Sequence, residues 1–237
     1  MKYIIIFLFA SFAFSEPVKS QFDKEIKYEY NAYIDILNIK LGEASLSIKK
    51  SAIIKETKIY HLNFSVKTSK LGDTIYKIRN NIDVWINQET FNIVKQHKII
   101  RELRKKKTST TLINGKVGVT NGNKYIVNEN IFDPYSLILI LSEFDIPIGS
   151  SKKFNIVDAG KVRELEVKNL GFKTIRTPYG KFSGYTLSPV QNGQPVLKNK
   201  GDMEVSYALI NESLVPVEIM IKFGQGVITL KLKKVRE

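Results

Sequence analysis

Along most of this chain apolar side chains recur at every second position, the period of a pleated strand with one covered face and not the 3.6-residue period of a helix. Tyr28, Tyr30, Ala32, Ile34 and Ile36 alternate with Glu29, Asn31 and Asp35, and Ala44, Leu46 and Ile48 with Glu43, Ser45, Ser47 and Lys49. The same rhythm runs through Tyr60, Leu62, Phe64 and Val66, then Ile82, Val84 and Ile86, then Val205, Tyr207 and Leu209. It ends in Val217, Ile219, Ile221 and Phe223, followed by Ile228, Leu230 and Leu232. Turn sequences separate the runs: Asn114-Gly115, Asn121-Gly122, Asp158-Ala159-Gly160, Thr177-Pro178-Tyr179-Gly180 and Gly224-Gln225-Gly226. One-sided alternation belongs to antiparallel sheets with a dry and a wet face. Roughly a dozen strands are legible, more than a flat open sheet carries comfortably. The expected fold is therefore mainly β, a curved antiparallel sheet or half-barrel.

One segment breaks the rhythm. Asp133-Pro134 supplies an N-cap and a proline at the first helical position, and Leu137 to Leu141 is apolar on every side. A helix over 134–144 would have to be buried on more than one face, plugging the concave side of the sheet, with a fully buried strand as the alternative. A weaker helical turn is expected at Leu71 to Tyr76. No linker rich in Pro, Gly or Ser interrupts the chain. Any division would fall near Asn128 to Pro134, but one continuous domain over 16–237 is expected.

The N-terminus reads as an address. Met1-Lys2 precedes an apolar run from Tyr3 to Phe14, and Ala13-Phe14-Ser15 fits leader-peptidase cleavage between Ser15 and Glu16. Twelve residues fall short of the roughly twenty that a transmembrane helix needs, although an uncleaved anchor is the competing reading. The expected location is the periplasm, with peripheral membrane contact at most and no nucleic-acid partner. Without cysteine the chain can form no disulfide, thiolate metal site, thiol nucleophile or lipoprotein anchor. His61 and His97 are its only imidazoles, little for a metal centre or a Ser-His-Asp triad. The formal charge of +14 favours anionic partners, but it comes mostly from lysine, the less specific ligand for phosphate.

Some residues invite a functional reading. Arg79, beside Tyr76, could clamp a phosphate or carboxylate at a pocket mouth, or could simply pair with Asp73 or Asp83. Trp85 is out of phase with Ile82, Val84 and Ile86, so it could line a ligand groove or pack under a loop. Tyr135 and Leu139 complete the candidate ligand surface from the helix. Arg104, Lys105, Lys106 and Lys107 form a dense basic run, suited to anionic lipid head groups or to a solvated hairpin end. His61 and His97 read as wet strand residues, and Asp158, Glu164 and Glu166 form no convincing acid–base set. No nucleophile elbow, P-loop or dinucleotide fingerprint occurs. No catalytic residue, cofactor or metal is assigned.

Several landmarks, in order, resemble the bacterial domain-of-unknown-function 3108 family: Leu41-Gly42-Glu43-Ala44, then Leu71-Gly72-Asp73-Thr74-Ile75-Tyr76-Lys77-Ile78-Arg79-Asn80, then Asp133-Pro134-Tyr135-Ser136-Leu137. Asp158-Ala159-Gly160-Lys161-Val162, Thr177-Pro178-Tyr179-Gly180-Lys181-Phe182 and Pro216-Val217 continue the likeness, which spans about 28–234. The resemblance implies an exported, β-rich envelope protein with no assigned catalysis and no site residues to carry over. The function expected is non-enzymatic, the binding or carriage of an envelope lipid or other amphiphile in the hollow of the sheet, with the helix over 134–144 displaced to admit it. The alternative is a structural or assembly module that meets an envelope protein partner and takes no small ligand.

Overall fold

A computed structural model describes residues 19–34, 39–54, 57–191, 194–195, 203–223 and 226–237. The leader with its Ser15–Glu16 junction, Ile36 and the Gly224-Gln225 turn lie outside the described residues. After a 3-10 turn at Gln21–Asp23, the first half contains β1 (Ile26–Ile34), β2 (Ile39–Ile54), β3 (Thr57–Thr68), α1 (Lys70–Ile75), β4 (Arg79–Asn87), β5 (Ile93–Glu102), β6 (Lys105–Asn114), β7 (Val117–Thr120) and β8 (Asn123–Ile126). The second half contains β9 (Ile131–Phe132), α2 (Pro134–Ile140), β10 (Ser151–Asp158), β11 (Lys161–Thr177), β12 (Gly180–Gln191), β13 (Gln194–Pro195), β14 (Met203–Ile210), β15 (Ser213–Phe223) and β16 (Gly226–Arg236). The sixteen described strands exceed the dozen legible in the sequence because β7, β8, β9 and β13 are too short to show a period.

All strands belong to one sheet in the order β8-β7-β6-β5-β4-β3-β2-β1-β16-β15-β14-β12-β11-β10-β9, with β13 beside β12. Pairing is antiparallel except between β9 and β10. The two halves are meanders joined where β1 pairs with β16. The sheet's edges, β8 and β9, are separated by only Val127–Asn130, so they stand no more than about 17 Å apart and the sheet must curl nearly shut. Side chains close that seam. Lys98 Nζ on β5 lies 2.8 Å from Asp158 Oδ1 on β10, and a methyl at Gly160 would come within 3.4 Å of Thr120 Cβ.

The inward face carries Tyr28, Tyr30, Leu46, Ile48, Leu62, Ile82 and Val84, all buried, as alternation requires. Leu209 departs from the pattern and is 56% exposed. Beyond Ala208, the last residue of β14 paired with β12, it leaves the covered part of the sheet. The far end of the β11–β12 hairpin bends back over the outer face, where Tyr179 N donates to Leu232 O (3.0 Å) and Lys173 pairs with Glu218 (3.1 Å).

Helix α2 fills the hollow. Leu137 to Leu141 are all buried, and a further 3-10 turn at Leu141–Glu143 extends the segment. Distant side chains satisfy its terminal groups, as a buried helix end requires. Asp133 Oδ1 accepts from Tyr135 N (2.8 Å) and Ser136 N (2.9 Å), while Gln96 Nε2 donates to Asp133 Oδ2. At the other end Tyr207 Oη donates to Ile138 O (2.7 Å) and Gln21 Nε2 to Leu139 O (2.7 Å).

Leu41-Gly42 on β2 and Leu71-Gly72 on α1 pack against each other. Ser69 N donates to Leu41 O (2.7 Å) at the start of α1. A Cβ on Gly72 would sit 2.1 Å from that same carbonyl, so only glycine lets α1 lie on β2.

Burial pushes the Asp133 carboxyl up to about 6, against the opposing pull of Lys98 and the two amides. Its folded value lies above its unfolded value of about 3.8, so the native state binds the extra proton. This group's contribution is greatest below about pH 3.8 and is lost as pH rises through 6, by up to about 3 kcal/mol. Asp133→Asn keeps the cap and removes the ionisation, so its unfolding free energy should lack this decline and match or exceed the parent's at pH 7.5. Asp133→Ala should cost about 1–3 kcal/mol at pH 5 in the same denaturant titrations.

Candidate functional site

Strand β4 places Ile82, Val84 and Ile86 inward and Trp85 outward. A bulge then skips Val94, so Trp85 faces Lys95 while Ile86 faces Ile93. The indole stacks on His61 (centroids 4.7 Å apart, 6° between planes), and Lys95 Nζ lies 4.6 Å from its centre. His61 is held in turn by Asp83 Oδ1 at 2.9 Å, which agrees with a half-wet strand residue rather than a ligand.

Past this stack the ends of β3, β4, β5 and β6 and the Asn128–Asn130 segment surround a cavity of about 760 Å³, open at one end of the barrel. Trp85, Leu112 and Ile113 give it apolar surface over the buried side chains of Ile59, Ile93 and Ile131, and Asn87, Asn92 and Asn114 give it a polar rim. The Asn92 side-chain oxygen is buried and has no hydrogen-bond partner. Such a cavity falls within the size range of small-molecule sites and offers apolar contact with a few polar fixings. A second opening of about 400 Å³ lies past α2, between Phe144, Ile148, Phe172 and Tyr185.

Of the five residues assigned to ligand binding, only Trp85 reaches the larger cavity. Arg79 and Tyr76 lie at the opposite end of β4. Arg79 is committed to Asp73 in a bidentate pair (Nη1–Oδ1 3.0 Å, Nη2–Oδ2 2.8 Å), so it is a structural clamp and not a free anion ligand. That pair, with Thr68 adding a third hydrogen bond, holds the Asp73 carboxyl below its ordinary range. Leu139 is 1% exposed within the packed interior, and Tyr135 packs on Phe64 at 5.6 Å and under Lys98 at 5.0 Å. Neither lines the cavity, because the helix that carries them is itself core. Arg104 and Lys105–Lys107 form the exposed end of the β5–β6 hairpin, where Arg104, Lys105 and Lys106 join Lys77, Arg79 and Arg101 around a separate basic hollow of about 540 Å³.

Sequence reasoning missed two features. The residues that line the cavity come from strands remote in sequence, and only Trp85, out of phase, signalled the place. The interior polar cluster of Gln96, Lys98, Asp133 and Asp158 sits where β5 reads Lys95-Gln96-His97-Lys98 with no apolar mark. Partial burial raises the Asp158 carboxyl, but the Lys98 ammonium, helped by Arg163 and Lys107, outweighs this and holds it low. Among the described residues no group of three or more His, Asp or Glu side chains is placed to hold a metal ion. Nor is any helix long and apolar enough to cross a membrane.

The family model described as "Protein of unknown function (DUF3108)" matches residues 27–233. No curated relative matches the chain. In fold the chain is similar to a crystal structure of a beta-barrel-like protein of domain of unknown function DUF1849 from Brucella abortus. The two share 10% identity at a TM-score of 0.54, over 89% of this chain and 96% of the other.

The clamp on α1 carries a prediction. Arg79→Ala should cost about 1 kcal/mol or less, since the pair is half-exposed. It should selectively speed hydrogen exchange at Asp73 N and Tyr76 N, the amides bonded within α1. Unchanged protection of those two amides would mean that the pair does not hold the helix.

Proposed function

The chain belongs to the DUF3108 family of proteins of unknown function, and on that premise we propose that it is a non-enzymatic, exported protein of the bacterial envelope. It resides in the periplasm after leader cleavage and holds the apolar part of an amphiphile in the cavity flanked by Trp85. The cavity carries this reading: about 760 Å³, open at one end, with apolar surface from Trp85, Leu112 and Ile113 and an asparagine rim. Each ligand methylene buried there contributes about 0.8 kcal/mol.

The carboxylates support a binding role over an acid–base one, because they are engaged in holding the fold. Asp133 caps α2, Asp158 pairs with Lys98, Asp73 with Arg79 and Glu164 with Lys153. Helix α2 is not the moving part. It is fastened at both ends by Gln96, Tyr207 and Gln21, so the ligand enters beside the core and leaves the helix in place.

Trp85 is the chain's single tryptophan, and its emission therefore reports on the cavity alone. Titration with lysophosphatidylcholine below its micellar concentration should give a saturable change in that emission. Leu112→Glu, at a half-exposed position on the cavity flank, should weaken the response at least about tenfold without altering circular dichroism. Native mass spectrometry of detergent-free protein should carry a stoichiometric amphiphile. A flat titration together with a clean apo mass would sink the binding role and leave the assembly-module alternative.

A further inference from the structure

At the end of the barrel opposite the cavity, apolar side chains stand exposed inside a belt of cations. Leu71 and Ile75, one helical turn apart on α1, are 53% and 55% exposed, and Tyr76 beside them is 44% exposed. The β5–β6 hairpin adds Leu103, 56% exposed, whose amide donates to Lys77 O at 2.8 Å and so fixes the hairpin tip to α1. Leu103 has φ of 52°, a left-handed conformation that costs a leucine energy and that asparagine or glycine adopts freely. Neither packing nor turn geometry calls for leucine there.

The belt is as consistent as the tips. Arg104, Lys105, Lys106 and Lys107 are exposed, with Lys77 and Arg101 alongside. The nearby acids are engaged: Asp73 by Arg79, and Glu102 by Asn80 Nδ2 at 2.9 Å. The patch therefore presents net positive charge around separate hydrophobic knobs, and the hollow of about 540 Å³ between α1 and the hairpin is lined by Lys77, Arg79, Arg101, Arg104, Lys105 and Lys106 with Leu103 as its one apolar side chain, a site for phosphate rather than for an apolar peptide side chain.

We propose that this end docks on the surface of an anionic lipid bilayer, with Leu71, Ile75, Tyr76 and Leu103 entering the head-group layer and the hairpin cations meeting lipid phosphates. Strand β4 separates this patch from the cavity by about 30 Å, nine residues at a strand's rise. A docked molecule therefore turns its cavity towards the aqueous compartment. The inference uses none of the cavity residues and goes beyond the ligand-binding reading.

The test is co-sedimentation of the purified full chain with sucrose-loaded vesicles of phosphatidylcholine, alone or with 30% phosphatidylglycerol. The chain should bind the anionic vesicles, bind neutral ones at least tenfold more weakly, and lose binding as salt is raised. Neutralising the run as Lys105→Gln, Lys106→Gln and Lys107→Gln should lower partitioning about a hundredfold. Leu71→Ser with Ile75→Ser, at exposed positions, should lower it at least tenfold while circular dichroism is unchanged. Neutralising three exposed lysines elsewhere (Lys124, Lys181 and Lys234) should leave binding within about threefold. Equal losses from both lysine triples would reduce the effect to the overall charge of +14 and overturn the patch. So would wild-type behaviour of the serine variant, or no vesicle binding by the wild-type chain. The patch variants should retain the Trp85 response to lysophosphatidylcholine, so failure of one proposal is distinguishable from failure of the other.

Discussion

A seven-residue helix sealed inside a β-sheet sets the terms for the rest of this molecule. Helix α2 supplies the apolar mass that the hollow needs, but a helix that short is mostly ends, and its terminal amides and carbonyls lie where water cannot reach. Pro134 removes one amide from the problem and Asp133 satisfies two more. The carbonyls of Ile138 and Leu139 draw on Tyr207 of β14 and Gln21 of the N-terminal turn. Burial raises the Tyr207 phenol well above its ordinary value, which keeps it a hydrogen-bond donor throughout physiological pH. The helix thus fastens β14, the N-terminal turn and β5 to a common centre. Asp133 is the costly member of this arrangement: the cap wants a carboxylate, and its burial disfavours the charge.

The same economy governs the seam. A closed barrel would pair β8 with β9, but those strands contain four and two residues and offer little ladder. Closure is left to side chains, chiefly the Lys98–Asp158 pair, with the Gly160 turn close enough to Thr120 that an added methyl would touch it. Short edges also expose few unpaired backbone groups, which limits unwanted pairing between molecules. A sheet joined this way can gape at its ends where a fully laddered barrel would not, and the cavity lies at such an end.

Alternation and the Asp133-Pro134 signal were enough to read most of the architecture, since each is a local consequence of geometry. The curvature, the buried helix and the turn at α1 all follow from them. What escaped was non-local. Gln96 and Lys98 are ordinary polar strand residues until β10 brings Asp158 opposite. Leu209 obeys the strand period yet finds no cover because β12 has already turned away. Tyr135 and Leu139 read as a ligand surface because an all-apolar helix looks the same whether it lines a pocket or fills one. Arg79 read more readily as a partner for Asp73 or Asp83 than for a phosphate, and the fold chose Asp73 by placing its carboxylate at 3.0 Å.

The landmarks that carry the family likeness are architecture. Leu41-Gly42 and Leu71-Gly72 let α1 lie on the sheet, Asp133-Pro134 starts α2, and Asp158-Ala159-Gly160 and Thr177-Pro178-Tyr179-Gly180 turn hairpins. Beyond what the fold requires stand, among other features, a tryptophan out of phase with its strand, the unpartnered Asn92 oxygen, a leucine in a left-handed turn, and apolar side chains on the outside of a six-residue helix. Local rules are expected to fail where function overrides them. These four fall into two groups. The tryptophan and the asparagine meet at one end of the barrel, and the leucine and the exposed helix meet at the other, about a strand's length away. A carrier built this way would keep its membrane contact and its ligand apart, so that charge could set where it sits while apolar volume sets what it holds.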